Sequence, residues 1–140
     1  MRHILALIGA LSCAPALALD VFIDTTTRAA GLAVFAKLGR LDAKTGQPIM
    51  QGSCAGDANA MGSYFVVEHG IRYAPDGATT TDPMGNKVPA IVAHPGYWWL
   101  LRENCNGNVA KAYAAGTLGL PPGITIYTID TAPEGLGRIN

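Results

Sequence analysis

The stretch VPAIVAHPGYWWLLR, residues 88–102, decides the fold of this chain. Two apolar runs, residues 88–92 and 97–102, flank His94-Pro95-Gly96. Proline fixes φ and glycine accepts unusual backbone angles, so this connection permits a tight turn. We therefore expect the two runs to be the central pair of strands.

The composition around this stretch favours short elements joined by many turns. The chain of 140 residues holds 17 glycines and 9 prolines, and only 14% of its residues are charged. Long surface helices need more charge and fewer breakers. The sequence predicts one small β-rich α+β domain, built as an antiparallel sheet or sandwich with one or two short helices.

Three further segments have the composition of strands. Residues 19–24 read as a strand, and residues 124–129 are rich in β-branched side chains. Residues 32–38 fit a strand or a helix. We favour a strand there, because residues 40–49 look like a hairpin with its turn at 43–46.

The segment from Asp57 to Gly70 carries two patterns. Residues 61, 64, 65 and 68 recur at helical spacing, and Asp57 and Gly70 suit the two ends of a helix. Alternate residues from Phe65 to Tyr73 equally line one face of an extended chain. We expect the helix and leave the strand open.

The remaining segments read as turns, a loop and a second helix. Residues 71–73 suit a short strand, residues 74–77 a turn and residues 78–87 an exposed loop. Asn108 can cap a short helix that continues to residue 115 and stops at Gly116.

The first eighteen residues have the layout of a cleavable secretory signal peptide. Arg2 and His3 precede an apolar run, and small residues at Ala16 and Ala18 suit signal peptidase. Cleavage after Ala18 would leave a globular domain over residues 19–130 and a C-terminal arm over 131–140, in the periplasm or outside the cell. An uncleaved start that packs as a first strand or helix is the alternative.

Charge excludes two classes of partner. The chain has 10 basic and 10 acidic residues, and removal of Arg2 leaves 9 against 10. The basic residues are scattered singly, whereas a nucleic-acid-binding protein needs them clustered. The sequence predicts no nucleic-acid partner, no anionic-membrane binding and, after processing, no stable membrane insertion.

The cysteine count favours one disulfide. Cys13 would leave with the signal peptide, and an even pair, Cys54 and Cys105, would remain. Such a bond closes a loop of about 50 residues and stabilises by about 3–4 kcal/mol on the chain-entropy model. Two separate buried thiols are the alternative, and they are favoured if residues 1–18 are retained.

The stretch GSCAGD, residues 52–57, allows a different role for Cys54. It precedes the expected helix, whose N-terminus would lower the pKa of the thiol, and His69 or His94 could act as base. A cysteine followed by a histidine in a small exported domain is similar to the papain-like cell-wall endopeptidases of bacteria. That resemblance implies a thiol nucleophile. The family has aspartate before its cysteine and serine after it, where this chain has Ser53 and Ala55.

Other catalytic and cofactor patterns are absent from the sequence. The histidines and cysteines lack the close paired spacing of a zinc site, so we expect no metal. No glycine-rich phosphate loop can be written either, and we expect no cofactor.

Aromatic residues supply the best candidates for contact with a ligand or partner. Alternation along a strand sends Trp98 and Trp99 to opposite faces, so one indole would lie in the core. The other could stack on a sugar or fill a pocket of a partner, with Tyr97 and His94 beside it. If both sheet faces are covered, both indoles are packing.

These observations leave three functions open. The first is a non-catalytic exported module, held by the Cys54–Cys105 disulfide, that binds a protein or a carbohydrate through residues 78–87 or the aromatic strand. The second is a structural subunit of a larger assembly, such as a phage virion, with its N-terminus uncleaved. The third is a thiol hydrolase that uses Cys54.

Overall fold

The computed structural model describes residues 19–53, 63–104 and 108–136. Seven strands and two helices occur in these ranges, and they form a small β-rich domain with two antiparallel sheets, as the composition predicts. In chain order they are β1 (Leu19–Thr25), α1 (Arg28–Lys37), β2 (Gln51–Ser53), β3 (Ser63–Gly70), β4 (Tyr73–Thr81), β5 (Lys87–Ala93), β6 (Tyr97–Glu103), α2 (Asn108–Ala114) and β7 (Thr125–Thr128).

The larger sheet has five strands in the order β2-β3-β6-β1-β7. β6 lies at its centre, as expected for residues 97–102, with Trp99 opposite Ile23 of β1 and Leu101 opposite Val66 of β3. The expected pairing of β6 with residues 88–92 is wrong, because β5 pairs with β4 in a separate two-stranded sheet. The two neighbouring strands, whose apolar side chains β6 helps to bury, occupy both edges of β6. The turn at Gly96, with φ of 103°, connects β6 to β5 in the separate sheet.

One face of the large sheet carries the main core. Alternate residues of β1, β3 and β6 point to this face, and α1 packs on β1 and β6 there. We call it the helix face. Its buried residues are Leu19, Val21, Ile23, Val34, Phe35, Leu38, Tyr64, Val66, Trp99, Leu101, Val109 and Ala110.

The strand expected over residues 32–38 is wrong, since these residues belong to α1 and the turn that follows it. The side chain of Thr27 caps the helix by accepting a hydrogen bond of 3.2 Å from the backbone N–H of Ala30. Gly31, Val34, Phe35 and Leu38 are buried at helical spacing. A capped N-terminus and a buried helical stripe together outweigh the weak β propensity of this segment.

The helix expected from Asp57 is wrong over residues 63–70, which form β3, while residues 57–62 lie outside the described ranges. Tyr64 and Val66 are buried on the helix face, whereas the side chain of Phe65 is 44% exposed. This alternation is the open alternative of the sequence analysis. It prevails because β3 pairs with β6 along its length, with one register shift between Glu68 and Gly70.

The turn expected at residues 74–77 and the first four residues of the loop expected at 78–87 belong to β4. The register of β4 against β5 shifts between Pro75 and Thr79, and Gly77 there has φ of 91°. The reversal comes later, where Asp82 accepts backbone hydrogen bonds from Met84 at 2.9 Å and Asn86 at 2.8 Å. Strand β4 was not predicted from the sequence because it contains a proline and a glycine, which are unusual inside strands.

Several local predictions are confirmed. β1 and β7 lie at the strands predicted over 19–24 and 124–129, and α2 lies at the predicted second helix. The hairpin of residues 40–49 turns where expected, because Asp42 accepts a 2.8 Å hydrogen bond from Gly46 and Leu41 bridges to Pro48.

The opposite face of the large sheet, which we call the second face, is covered in part by the end of the described chain. Phe22, Trp98 and Leu100 are buried there with Leu136, which is 8% exposed. Residues 131–136 of the expected arm therefore pack on the chain's own sheet. Within the described ranges, no helix has the length and apolar character needed to cross a membrane.

Candidate functional site

The most distinctive surface of the described chain is the two-stranded sheet of β4 and β5, which we call the ribbon. It leaves the large sheet after Gly70 and returns at Tyr97, so it extends from one end of β3 and β6. Its two strands pair with each other and with no other strand of the described residues. A hairpin of this kind has no core of its own.

One side of the ribbon is exposed and apolar near its base. The register places Tyr73 opposite Ala93 and Pro75 opposite Ile91, all on the same side. Tyr73 is 57% exposed and Ile91 is 60% exposed. We call this surface the ribbon face; its members are Tyr73, Pro75, Pro89, Ile91 and Ala93, all exposed.

Polar contacts join the two sides of the ribbon at its base, and one of them connects this base to the end of the described chain. His94 Nε2 lies 3.2 Å from the carbonyl oxygen of Ala74, and the backbone N–H of His94 donates to Arg72 O at 2.9 Å. Arg72 Nη1 donates a 2.8 Å hydrogen bond to the carbonyl of Glu134. His94, a predicted contact residue, is thus half-buried at the base of the ribbon.

Two prolines limit how the ribbon can bind. Pro75 lies in β4 and Pro89 in β5, so each of the two strands lacks one backbone donor. Proline in a strand at the edge of a sheet discourages the addition of another strand to that edge. The ribbon is therefore suited to contact through its face and not to sheet extension.

Both tryptophans are buried on opposite sides of the central strand. Trp98 is 3% exposed on the second face, next to Tyr127, and Trp99 is 0% exposed on the helix face, next to Phe35. The alternation predicted for these two residues is confirmed. Because both faces are covered here, both indoles act as packing.

Tyr97 belongs to a polar cluster at the edge of the helix face. Its hydroxyl donates to Glu68 Oε1, and Arg28 Nε donates to the same carboxylate at 2.7 Å. The hydrogen bond from Arg28 lowers the pKa of Glu68, and the hydrogen bond to Glu68 raises the pKa of Tyr97. The groups satisfy one another, so the cluster joins α1 to β3 and β6.

We expect this cluster to contribute to stability against acid. The pKa of Glu68 is lowered in the folded state, so its stabilisation is present above the unfolded pKa of about 4.3 and is lost as the pH falls through the folded value. Glu68→Gln should therefore lose less stability than the parent chain between pH 7 and pH 3. The difference should be modest, because Arg28 is 41% and Glu68 26% exposed.

Urea midpoints at the two pH values measure this difference. Glu134→Gln is the matched control, since Glu134 is exposed and uses only its backbone carbonyl in the contact with Arg72. Equal losses in the parent chain and in Glu68→Gln would contradict the assignment.

The residues proposed for thiol chemistry are only partly described. Cys54 and Cys105 lie outside the described ranges. His69 is half-buried on the second face, where its ring centroid lies 5.5 Å from that of Phe22, and burial lowers its pKa. No group of three metal-binding side chains occurs among the residues described.

Strand β4 of the ribbon was missed in the sequence because Pro75 and Gly77 interrupt it, whereas β5 lies at the strand expected over residues 88–92. One signal in the sequence could have revealed the ribbon. The run of residues 82–86 has the Asp and Gly of a tight turn, shortly before the apolar residues 88–92.

Comparisons with known proteins add no relative: no family model, no curated protein and no solved structure matches this chain.

Proposed function

We propose that this protein is a non-catalytic exported binding module, stabilised by a Cys54–Cys105 disulfide, that contacts a protein partner through the ribbon face. The observation that carries the proposal is an isolated ribbon with Tyr73 and Ile91 more than half exposed. The distal part of the ribbon coincides with residues 78–87, the segment that the sequence suggested for binding.

Contact with a partner would stabilise the ribbon more than its contacts within the domain do. A two-stranded hairpin is marginally stable in water, and this one adds only a few contacts with the large sheet through its base. Clustered exposed apolar residues mark interaction sites, and tyrosine is enriched where binding energy is concentrated. Contact would remove Tyr73 and Ile91 from water.

Two carboxylates beside the described aromatic strand are already bound by arginines. Glu68 is bound by Arg28 and Tyr97, and Glu103 is bound by Arg40 at 2.7 Å. These carboxylates are structural partners of arginines in the described part of the chain.

A structural subunit of a larger assembly, such as a virion, is the second candidate. It would use the same ribbon, but its partners would be assembly neighbours. The exposed side chain of Phe65 on the second face favours this candidate, because it offers a second apolar surface.

Site-specific photocrosslinking in the natively produced protein tests the proposal. A benzophenone amino acid at position 91 should give one discrete protein adduct, and the same group at Ala29, an exposed position on α1, should give none. Equal adducts from both positions, or none from either, would argue against the ribbon as the contact element.

The intact mass of the same material, before and after reduction and alkylation, reports the other two parts of the proposal. A chain that starts at Leu19 and alkylates only after reduction supports export and the disulfide. A full-length chain that alkylates freely shifts the proposal to the assembly subunit.

A further inference from the structure

Residues 131–136, which we call the strap, lie across the second face of the large sheet. Leu136 packs there in one cluster with Phe22, Trp98 and Leu100. The buried residues of both helices lie on the helix face instead. In the described part of the chain, the second face therefore depends on the strap, and not on a helix, for its cover.

The strap is joined to the rest of the described chain by few hydrogen bonds. The backbone N–H groups of Thr131 and Ala132 donate to the carbonyl of Thr128, within one turn at the end of β7. Farther along the strap, Arg72 Nη1 donates to the carbonyl of Glu134 at 2.8 Å. None of these bonds links two strands, so the strap can lift about this turn while the sheet stays intact.

The strap packs incompletely against the sheet. A pocket of about 280 Å³ lies between Phe22 and the strap, with Ile129 at its border. Protein cores contain few voids larger than a water molecule, and side chains that line a void lose contacts there. The closed strap therefore gains less from packing than a filled core would.

Closure of the strap also buries polar atoms that receive no partner. Trp98 Nε1, Arg72 Nε and His69 Nε2 are buried and make no hydrogen bond within the described structure. Trp98 packs with Leu136 of the strap, Arg72 donates a different nitrogen to the strap, and the ring of His69 lies against Phe22. Burial of a polar group without a partner is unfavourable. Opening would return these atoms to water, which offsets part of the apolar contact that is lost.

We infer that the strap is a detachable cover, which opens while the rest of the domain stays folded. In its closed position it also touches the base of the ribbon, where a Cβ at Gly135 would lie 2.3 Å from the carbonyl oxygen of Tyr73. Opening therefore uncovers the second face and releases the base of the ribbon together. This inference goes beyond the proposed function, and it holds whether or not the ribbon binds a partner.

The indole N–H groups of the two tryptophans distinguish opening of the strap from unfolding of the domain. Trp98 Nε1 has no partner and its ring packs with the strap, whereas Trp99 Nε1 donates to Thr25 Oγ1 on the helix face. Trp98 should exchange its indole hydrogen with water when the strap opens, and Trp99 when the whole domain unfolds. In the full chain, hydrogen exchange followed by NMR should be at least about tenfold faster for Trp98 than for Trp99.

Two strap variants and one control locate the opening. Leu136→Ala removes the apolar contact with Trp98, and Gly135→Ala places a Cβ against the base of the ribbon at a φ of 90°. Both changes should speed the exchange of Trp98 by at least about tenfold. Leu120→Ala is the control, because Leu120 is a half-buried leucine that packs on the core of the helix face. It should speed the exchange of Trp99 and leave that of Trp98 unchanged, since it destabilises the closed and open forms equally.

The control variant and the strap variants can each overturn the inference. If Leu120→Ala speeds both indoles equally, Trp98 is exposed by unfolding of the whole domain, and the detachable strap is overturned. If neither Leu136→Ala nor Gly135→Ala speeds Trp98, its exposure does not involve the strap, and the inference is again overturned. Slow exchange of Trp99 verifies that each variant is folded. Neither result bears on the ribbon as contact element, which the adduct at position 91 tests separately.

Discussion

Glu103→Ala is expected to lower the free energy of unfolding by about 3–5 kcal/mol, because it leaves Arg40 buried without its counter-charge. The side chain of Glu103 is 0% exposed and that of Arg40 is 9% exposed. Arg40 donates to Glu103 Oε1 from Nη2 at 2.7 Å and from Nε at 3.1 Å. A loss of this size is a large share of the stability of a small domain, typically 5–15 kcal/mol.

The guanidinium of Arg40 has no easy escape to water. Its Cζ lies 4.2 Å from the centroid of the Tyr64 ring, which is itself buried on the helix face. Stacking on the ring holds the charge in place but cannot replace a carboxylate. The cost of removing Glu103 is therefore mainly the cost of an unpaired buried charge.

Denaturant unfolding, monitored by tryptophan fluorescence, measures the loss in the free energy of unfolding. Three further variants separate the causes of this loss. Glu103→Gln keeps the shape and removes the charge, so it separates the ion pair from the cavity left by alanine. Asp20→Asn breaks the Arg102–Asp20 pair, which has the same 2.7 Å distance but is 43% and 35% exposed, and it should cost about 0–1 kcal/mol. The double change of Arg40→Met with Glu103→Leu should recover much of the loss. A cost for Glu103→Ala no larger than that for Asp20→Asn would refute this account.

The buried pair also shows what pattern analysis misses. Arg40 and Glu103 are 63 positions apart and look like ordinary surface charges in the sequence. Only the meeting of the turn after α1 with the end of β6 buries them together. Glutamate is almost always solvent-exposed unless it is paired, and Glu103 is only 1% exposed because Arg40 pairs with it.

Local patterns predicted those elements whose residues decide their own conformation. The β-branched run at 124–129 and the Asp42–Gly46 turn both fall where expected, because neighbours within a few positions determine them. Residues 63–70 satisfied two periods at once, and pairing with β6 made the choice. A long-range contact of this kind has no local signal.

The candidate site was predictable only in part. The segment at 78–87 was expected to be exposed and available for binding, and it is exposed except at Asp82, although half of it is strand. The apolar side of the ribbon depends on register, which places Tyr73, 18 residues before Ile91, on the same surface. Leu136 helps to cover Trp98, and no residue near Trp98 in the sequence indicates that contact.

Gly31, next to the segment expected to be a strand, supports a second large prediction. Glycine disfavours a helix by roughly 1 kcal/mol relative to alanine, so its presence lowers the helical propensity of α1. In the fold, Gly31 lies against the indole of Trp99. A Cβ at position 31 would overlap Nε1 and Cε2 of Trp99 and come within 2.7 Å of Cζ2. The absence of a side chain allows α1 to approach the central strand.

Gly31→Ala is therefore expected to destabilise the protein by about 1–3 kcal/mol through overpacking, despite the better helix propensity of alanine. Trp99 cannot easily yield. It is 0% exposed, its ring packs edge-on to Phe35 with centroids 5.1 Å apart, and its Nε1 donates to Thr25 Oγ1 at 3.3 Å. A shift of the indole would disturb both contacts.

The same exchange of glycine and alanine at an exposed position of α1 should have the opposite sign. Ala33 is exposed in the middle of the helix, so Ala33→Gly should cost about 1 kcal/mol by propensity alone, and alanine is the better residue there. At position 31 alanine should be the worse residue. A stabilising Gly31→Ala would show that the close approach of α1 to β6 is not required.

A double-mutant cycle with Trp99→Phe tests whether the indole is the cause. Trp99→Phe removes the indole nitrogen and the outer ring atoms near position 31, at the cost of a cavity. Gly31→Ala should then be tolerated better than in the parent chain, with a coupling energy of about 1 kcal/mol or more measured by denaturant unfolding. Additive effects would assign the penalty to the helix backbone instead. A large coupling would mean that Gly31, although glycine disfavours a helix, is the residue that lets α1 pack closely on the central strand.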